Sequence, residues 1–202
     1  MTSRSLAKIA GGSYLIIFFS AIFANFFSLE AIIQDPVATI QQNHQMVRFG
    51  ILAFMITVVF DVVVAWALNE LYKDHILTKL STYFRMMHAA IMGVAIFALP
   101  IALDMNTADS ILAQVDQFNT IWLIGLFFFG FHLIILARII PTPKFITLFL
   151  YLAGAMYIVD TTAHFLMPNY ENHADLFLAL VAIPSIVGEM SMAIWLLIKE
   201  GK

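Results

Sequence analysis

An acid and an imidazole stand four residues apart in the segment YIVDTTAHF, which is otherwise almost wholly apolar. They are Asp160 and His164, and a helical spacing of four places both side chains on one face. Such a pair can act as an acid–base dyad or as two ligands. It can also be a structural pair near a helix end, satisfied by Arg48 of another helix, and we favour this second interpretation.

Four more ionisable residues lie deep inside other apolar stretches. These are Asp61, His88, His132 and Glu189. Counting inward from the helix ends, at a rise of about 1.5 Å per residue, places all four about 21–22 Å from the same edge of the molecule. Two carboxylates and two imidazoles at one depth predict a common site.

The chemistry of this predicted site has three alternatives. Two histidines and two carboxylates suit Zn²⁺, Fe²⁺ or Mn²⁺, although no HExxH zinc motif is present. The same groups could relay protons or bind a substrate in a polar cavity. They could also form a hydrogen-bond and ion-pair network, with Arg85 as a member, that only fixes helix packing.

The composition shows which solvent surrounds these residues. Hydrophobic residues make up 62% of the 202 positions and charged residues 11%, whereas soluble domains have about 45–50% and about 25%. Such an excess cannot be buried in a soluble core, so the chain is expected to lie in a lipid bilayer. It has no Cys, which excludes thiolate chemistry, and no basic patch that would indicate nucleic-acid binding.

Six apolar segments are long enough to cross a membrane, which needs about 20 residues. They predict an all-α bundle that forms a single transmembrane domain over residues 1–202. The predicted helices span residues 9–33, 47–71, 81–103, 118–140, 145–167 and 175–198.

The positive charges predict the orientation of the bundle. With six helices, nine of the ten Lys and Arg residues fall on one side, and only Arg48 falls on the other. The nine are Arg4, Lys8, Lys73, Lys79, Arg85, Arg138, Lys144, Lys199 and Lys202. Because positive loops stay in the cytoplasm, both termini are expected there.

Small residues predict where helices approach closely. The segments AGGS (Ala10–Ser13) and GAM (Gly154–Met156) lie within the first and fifth predicted helices. Small side chains at such positions let helix backbones come close together in a membrane.

Several segments together resemble a known family of bacterial six-helix membrane proteins, domain of unknown function 4386. They are KIAGGSYLI, VRFGILAFMITVVFDVVVAWAL, YFRMMHAAIMG, FFFGFHLIILA, YLAGAMYIVDTTAHFLMP and VGEMSMAIWLLIK, in this order along almost the whole chain. The resemblance implies the six-helix fold and a location in the bacterial cytoplasmic membrane. It implies no activity.

We therefore expect a membrane protein with a His/carboxylate cavity that binds or passes a small ligand, ion or proton. Asp61, His88, His132 and Glu189 would line it, and Arg48, Asp160 and His164 would form its outer approach. One alternative is an intramembrane hydrolase of lipid-like substrates, in which a metal-bound water is the nucleophile. Another is a non-catalytic subunit or sensor with a structural polar network. The lipid bilayer is the expected partner, and the sequence permits a homodimer.

Overall fold

The computed structural model describes residues 1–198, which are helical with no β-strand. The α-helices are α1 (Ser3–Ile22), α2 (Glu30–Gln34), α3 (Pro36–Gln42), α4 (His44–Leu71), α5 (Thr78–Ala95), α6 (Ala98–Ala102), α7 (Ala108–Ile139), α8 (Lys144–Leu166) and α9 (Ala174–Ile198). A π-helical segment, Phe23–Leu29, continues α1, and a 3₁₀ turn, Tyr170–His173, precedes α9.

The prediction of six membrane-spanning helices is confirmed. The spans long and apolar enough to cross a bilayer are Ser3–Gln34, His44–Leu71, Thr78–Ala102, Ala108–Ile139, Lys144–Leu166 and Tyr170–Ile198. Large apolar side chains such as Phe26, Phe97 and Leu166 are more than two-thirds exposed, as expected for a surface in contact with lipid.

One predicted boundary is wrong by ten residues. Helix α7 begins at Ala108, whereas the sequence predicted Phe118. The side chain of Thr107 caps the new start by accepting a hydrogen bond from the Ser110 backbone N–H, at 3.3 Å. Ile111 and Val115 are buried at helical spacing in this added segment, so tertiary packing extends the helix into a stretch that reads as polar.

The six spans form a ring. Helix α1 packs on α4, α4 on α5, α5 on α7, α7 on α8 and α8 on α9, and α9 returns to α1. Successive spans alternate in direction, so the start of α1 and the end of α9 lie at the same end of the bundle. There, Arg4 donates hydrogen bonds to the carbonyl oxygens of Leu196, at 3.2 Å, and of Leu197, which connects the start of α1 to α9.

Close helix approaches hold parts of this ring together. A Cβ at Gly130 of α7 would lie 2.6 Å from the carbonyl oxygen of Gly154 of α8, and the reverse also holds. A Cβ at Gly11 of α1 would lie 2.7 Å from the carbonyl oxygen of Ala193 of α9. Two of these glycines, Gly11 and Gly154, lie in the small-residue segments for which the sequence predicted close contact.

A polar layer divides the interior into two apolar clusters. Along α4, Phe54 belongs to one cluster and Leu68 to the other. The buried carboxylate of Asp61 stands midway between them. The ionisable side chains of the neighbouring helices meet at this level, which places the candidate site in the middle of the bundle.

Candidate functional site

Arg85 of α5 is the centre of the buried polar cluster, and its side chain is only 1% exposed. Its Nη1 donates to the hydroxyl of Tyr14 on α1, and its Nη2 donates to the carboxylate of Asp61 on α4, each at 2.5 Å. The guanidinium carbon also lies 4.7 Å from the ring centroid of Tyr14 and 5.2 Å from that of Phe129. One carboxylate and two aromatic faces thus offset a charge that would be costly in a membrane.

Asp61 joins Arg85 to His88, one turn further along α5. One carboxylate oxygen accepts from Arg85, and the other lies 3.5 Å from Nε2 of His88. The Nδ1 of His88 forms no hydrogen bond with any described residue. It faces the backbone of Gly125, where an added Cβ would lie 3.3 Å away. Asp61 therefore serves as a shared acceptor for two side chains of the same helix.

His132 of α7 completes the cluster on the opposite side of Arg85. Its Nε2 lies 3.2 Å from Nη1 of Arg85. Because a guanidinium can only donate, Nε2 must be the acceptor, and the proton of the neutral ring must be on Nδ1. That atom lies 3.0 Å from the carbonyl oxygen and 2.9 Å from the hydroxyl of Ser81. His132 therefore connects α7 to α5 through both of its ring nitrogens.

The structure does not support the predicted metal site. In the part of the chain that it describes, no group of three or more His, Asp or Glu side chains is arranged to hold a metal ion. The physical reason is Arg85, whose guanidinium bonds both Asp61 and His132. The oxygen and nitrogen atoms that would bind a metal ion thus face the positive charge of Arg85. The hydrolase hypothesis, which needs a metal-bound water, loses the same support.

A cavity of about 190 Å³ adjoins the cluster on one side. Its polar wall includes Asp61, Arg85, His88 and Glu189, together with Thr57 and Ser185. Aromatic side chains form much of the rest: Tyr14, Phe18, Trp122, Phe129 and Tyr157. This volume exceeds the engineered protein cavity of about 150 Å³ that binds benzene, so the space can hold a small molecule.

Glu189 of α9 differs from the other acidic residue of the cavity. Asp61 has an ion pair, but Glu189 forms neither a hydrogen bond nor a salt bridge with any residue in 1–198. Its side chain lines the cavity. A carboxylate inside a membrane protein needs a partner, either a polar group, a proton or a cation. The described residues supply no such partner to Glu189 by hydrogen bond or salt bridge.

The structure therefore brings together three of the four residues that were predicted to share one depth. Asp61 and His88 are neighbours, and His132 is connected to Asp61 through Arg85. Glu189 lies on the same cavity wall as Asp61 and His88 without contacting them. His132 lines instead a separate, water-sized space with Ser81 and Thr78.

Asp160 and His164 line a second, open space near the C-terminal end of α8, here called the outer depression. Asp160 is 7% exposed and accepts a hydrogen bond from the Tyr170 hydroxyl at 2.7 Å. The ring of His164 packs against that of Tyr170, with centroids 4.8 Å apart. Trp122 and Leu126 line both this outer depression and the cavity, so the two spaces adjoin at these side chains.

The expected pair between Arg48 and Asp160 is not formed. Arg48 is exposed, and its Nε donates to Nδ1 of His44, one turn earlier on α4, at 3.0 Å. Asp160 has Tyr170 as its partner instead. The pairing failed because it assumed a rotation of α4 about its axis that hydropathy alone does not determine. Arg48 is also not among the residues that line the outer depression.

Arg85 and Tyr14 are the important residues that the sequence analysis misplaced or missed. Arg85 was counted among the positive charges on one side of the membrane and was also named as a possible member of a packing network. The structure buries it fully in such a network. One signal was present: Ser81, Arg85 and His88 follow each other at spacings of four and three, which is one helical face. Tyr14 had no such signal, because an aromatic residue in an apolar helix is ordinary.

These features define the class of this protein. It is a multi-pass membrane protein in which six helices surround a buried ion-pair cluster and an adjoining cavity.

The chain belongs to the family described as Domain of unknown function (DUF4386), whose sequence model matches residues 9–199. This confirms the resemblance seen in the sequence. An uncharacterized protein of Archaeoglobus fulgidus is 26% identical over 160 residues, which cover 76% of this chain and 85% of the relative. No solved structure matches the chain.

Proposed function

We propose that this membrane protein binds a small polar ligand in its intramembrane cavity. The observation that carries the proposal is the carboxylate of Glu189, which lines a space of about 190 Å³ and has no partner among residues 1–198. Intramembrane acids are costly, so they are kept where a function uses them. A cavity of this size beside such a group fits a bound molecule.

A purely structural role explains only part of the site. Asp61, Arg85 and His132 satisfy one another and connect α4, α5 and α7, as a packing network should. Glu189 adds nothing to such a network, since it contacts none of these three side chains by hydrogen bond or ion pair. The network is therefore better described as the floor of a binding cavity.

The arrangement favours binding over free passage of ions. The cluster of Arg85, His132 and Ser81 lies between the cavity and the α4–α5 connection, and the space beyond it measures only about 10 Å³. On the other side, the cavity adjoins the outer depression at Trp122 and Leu126, which line both spaces. We therefore propose access from that outer side.

We further propose that the protein lies in the cytoplasmic membrane with both termini inside. Arg4, Lys8, Lys73, Lys79, Arg138 and Lys144 lie at one end of the bundle, and Arg48 lies at the other. Arg85 no longer counts, because it is buried at mid-bundle. Lys199 and Lys202 lie outside the described residues. The remaining bias of six to one still follows the positive-inside rule.

The proposal is tested by filling the cavity. Ala21 lines it, so Ala21→Phe should block binding of small molecules that stabilise the detergent-purified protein against heat. Ala90→Phe is the matched control, because Ala90 is exposed on the lipid-facing side of α5. A broad panel of small polar compounds is added to each protein, and the shift in melting temperature is measured. If no compound shifts the native protein and the control more than it shifts Ala21→Phe, the proposal is wrong.

A further inference from the structure

We infer that the ligand of the cavity is a small organic cation, such as a protonated amine attached to an apolar group. This inference rests on the proposed binding function and names the class of molecule. It follows from three properties of the wall: its hydrogen-bonding groups, its charge and its aromatic side chains.

Three oxygen-bearing side chains of the wall, Thr57, Ser185 and Glu189, are placed to accept hydrogen bonds from a ligand. The hydroxyl of Ser185 donates to the Val181 carbonyl at 2.6 Å, and that of Thr57 donates to the Phe54 carbonyl at 2.7 Å. Each hydroxyl has one proton, so both oxygens can only accept from a ligand; the Ser185 hydroxyl also interacts with the Tyr157 side chain. When it is ionised, the Glu189 carboxylate can likewise only accept hydrogen bonds. Such a wall is suited to a ligand that donates several hydrogen bonds, as an ammonium group does.

The charges of the wall leave room for one positive charge. With histidines counted as neutral, the cavity holds one cation, Arg85, against two carboxylates, Asp61 and Glu189. Arg85 is engaged by Asp61 at 2.5 Å, and its Nη1 is directed to Tyr14 and His132. His88 has Asp61 as its neighbour, at 3.5 Å. No described side chain neutralises Glu189 in the same way.

Aromatic rings line the remainder of the space. Tyr14 and Phe129 already face the guanidinium of Arg85. Phe18, Trp122 and Tyr157 also line the cavity, and no cation of the described chain lies over their rings. A carboxylate combined with aromatic faces is the chemistry by which proteins recognise organic ammonium groups.

The outer depression supports the same ligand class independently. With His164 counted as neutral, its lining holds the carboxylates of Asp160 and Asp175 and no Lys or Arg among the described residues. An acidic mouth raises the local concentration of cations. It adjoins the cavity at Trp122 and Leu126, so a cation attracted there is already next to the binding space.

The test compares three molecules of nearly equal size and different charge: benzylamine, benzyl alcohol and benzoate. Their binding to the detergent-purified protein is measured by isothermal titration. The variants are Glu189→Gln, which removes the charge and keeps the shape, and Glu70→Gln, a matched change at an exposed position at the end of α4. Ala21→Phe serves as the blank for partition into detergent micelles.

The expected result is that benzylamine binds the native protein and Glu70→Gln more tightly than benzyl alcohol does, and that benzoate does not bind. Because a hydrogen bond to a charged group is involved, Glu189→Gln should weaken benzylamine binding by at least about tenfold. Ala21→Phe should abolish it.

Two other results would overturn the inference, and they differ in what they leave standing. If benzyl alcohol or benzoate binds at least as tightly as benzylamine, and Ala21→Phe abolishes this binding, the cavity binds a ligand that is not a cation. If none of the three distinguishes the native protein from Ala21→Phe, both the ligand class and the binding function fail. Should Glu189→Gln not fold, the ranking of the three molecules on the native protein decides alone.

Discussion

Asp61 and Arg85 lie 2.5 Å apart on neighbouring helices, with side chains that are 7% and 1% exposed. They form the most deeply buried ion pair among the described residues. This relationship decides how the site is built, because Tyr14, His88 and His132 each contact one of the two. It also predicts an asymmetry between single and double substitutions.

We expect Asp61→Leu alone to destabilise the protein by about 3–5 kcal/mol, because it leaves the buried guanidinium without its counter-ion. The double variant Asp61→Leu with Arg85→Leu should recover most of this loss, since apolar pairs often replace buried ion pairs at little cost. Unfolding in mixed detergent micelles measures both free energies. A double variant less stable than either single one would show that the pair itself holds α4 and α5 together.

Much of the fold could be predicted because membrane-spanning helices can be recognised in a sequence by their length and hydropathy. The two boundaries of α8 and the start of α9 were correct to within one residue. The start of α7 was not, since its first ten residues are polar on one side and are ordered by Thr107 and by the buried Ile111. Capping and packing, which hydropathy averages away, decide such ends.

The site was less predictable because it depends on how helices rotate about their axes. Depth along a helix follows from counting residues, and so Asp61, His88 and His132 were placed at one level. Which side chains meet at that level depends on packing. The Arg48–Asp160 pair was therefore expected but not formed, and Arg85 was counted among the charges on one side of the membrane although Asp61 holds it inside.

His132 and Ser81 provide a second, matched prediction. Ser81→Ala should change stability by less than about 1 kcal/mol, because Nδ1 of His132 still has the Ser81 carbonyl as an acceptor. His132→Phe keeps a ring but removes an acceptor of Arg85, and should cost roughly 1–3 kcal/mol. Thermal unfolding of the two variants in the same detergent makes the comparison. Equal losses would contradict the assigned role of Nε2.

The orientation of the bundle can be tested cleanly because the chain has no native Cys. Asn43 and Asp74 are exposed residues at opposite ends of α4. In intact cells, a membrane-impermeant maleimide should label Asn43→Cys at once and Asp74→Cys only after the membrane is permeabilised. The reverse pattern would place both termini outside and show that the positive-inside rule misleads here.

The last prediction concerns Trp122, which lines both the cavity and the outer depression. Its ring packs against those of Phe54 and Phe118, at centroid distances of 5.3 and 5.2 Å. Replacing it by a smaller side chain should connect the two spaces. We expect Trp122→Leu to speed the reaction of a cysteine placed in the cavity, Ser185→Cys, with a positively charged, membrane-impermeant methanethiosulfonate.

Trp66→Leu is the matched control for this experiment, because Trp66 is 43% exposed and lines neither space. With Trp66→Leu added, Ser185→Cys should react at the same rate as Ser185→Cys alone. With Trp122→Leu added, the rate should rise on the order of tenfold, as expected when a gating side chain is removed. Equal rates in all three backgrounds would mean that the reagent reaches Ser185→Cys by another route. A route from the lipid-facing surface past Ile186, which lines the cavity and is 50% exposed, would then be the entrance.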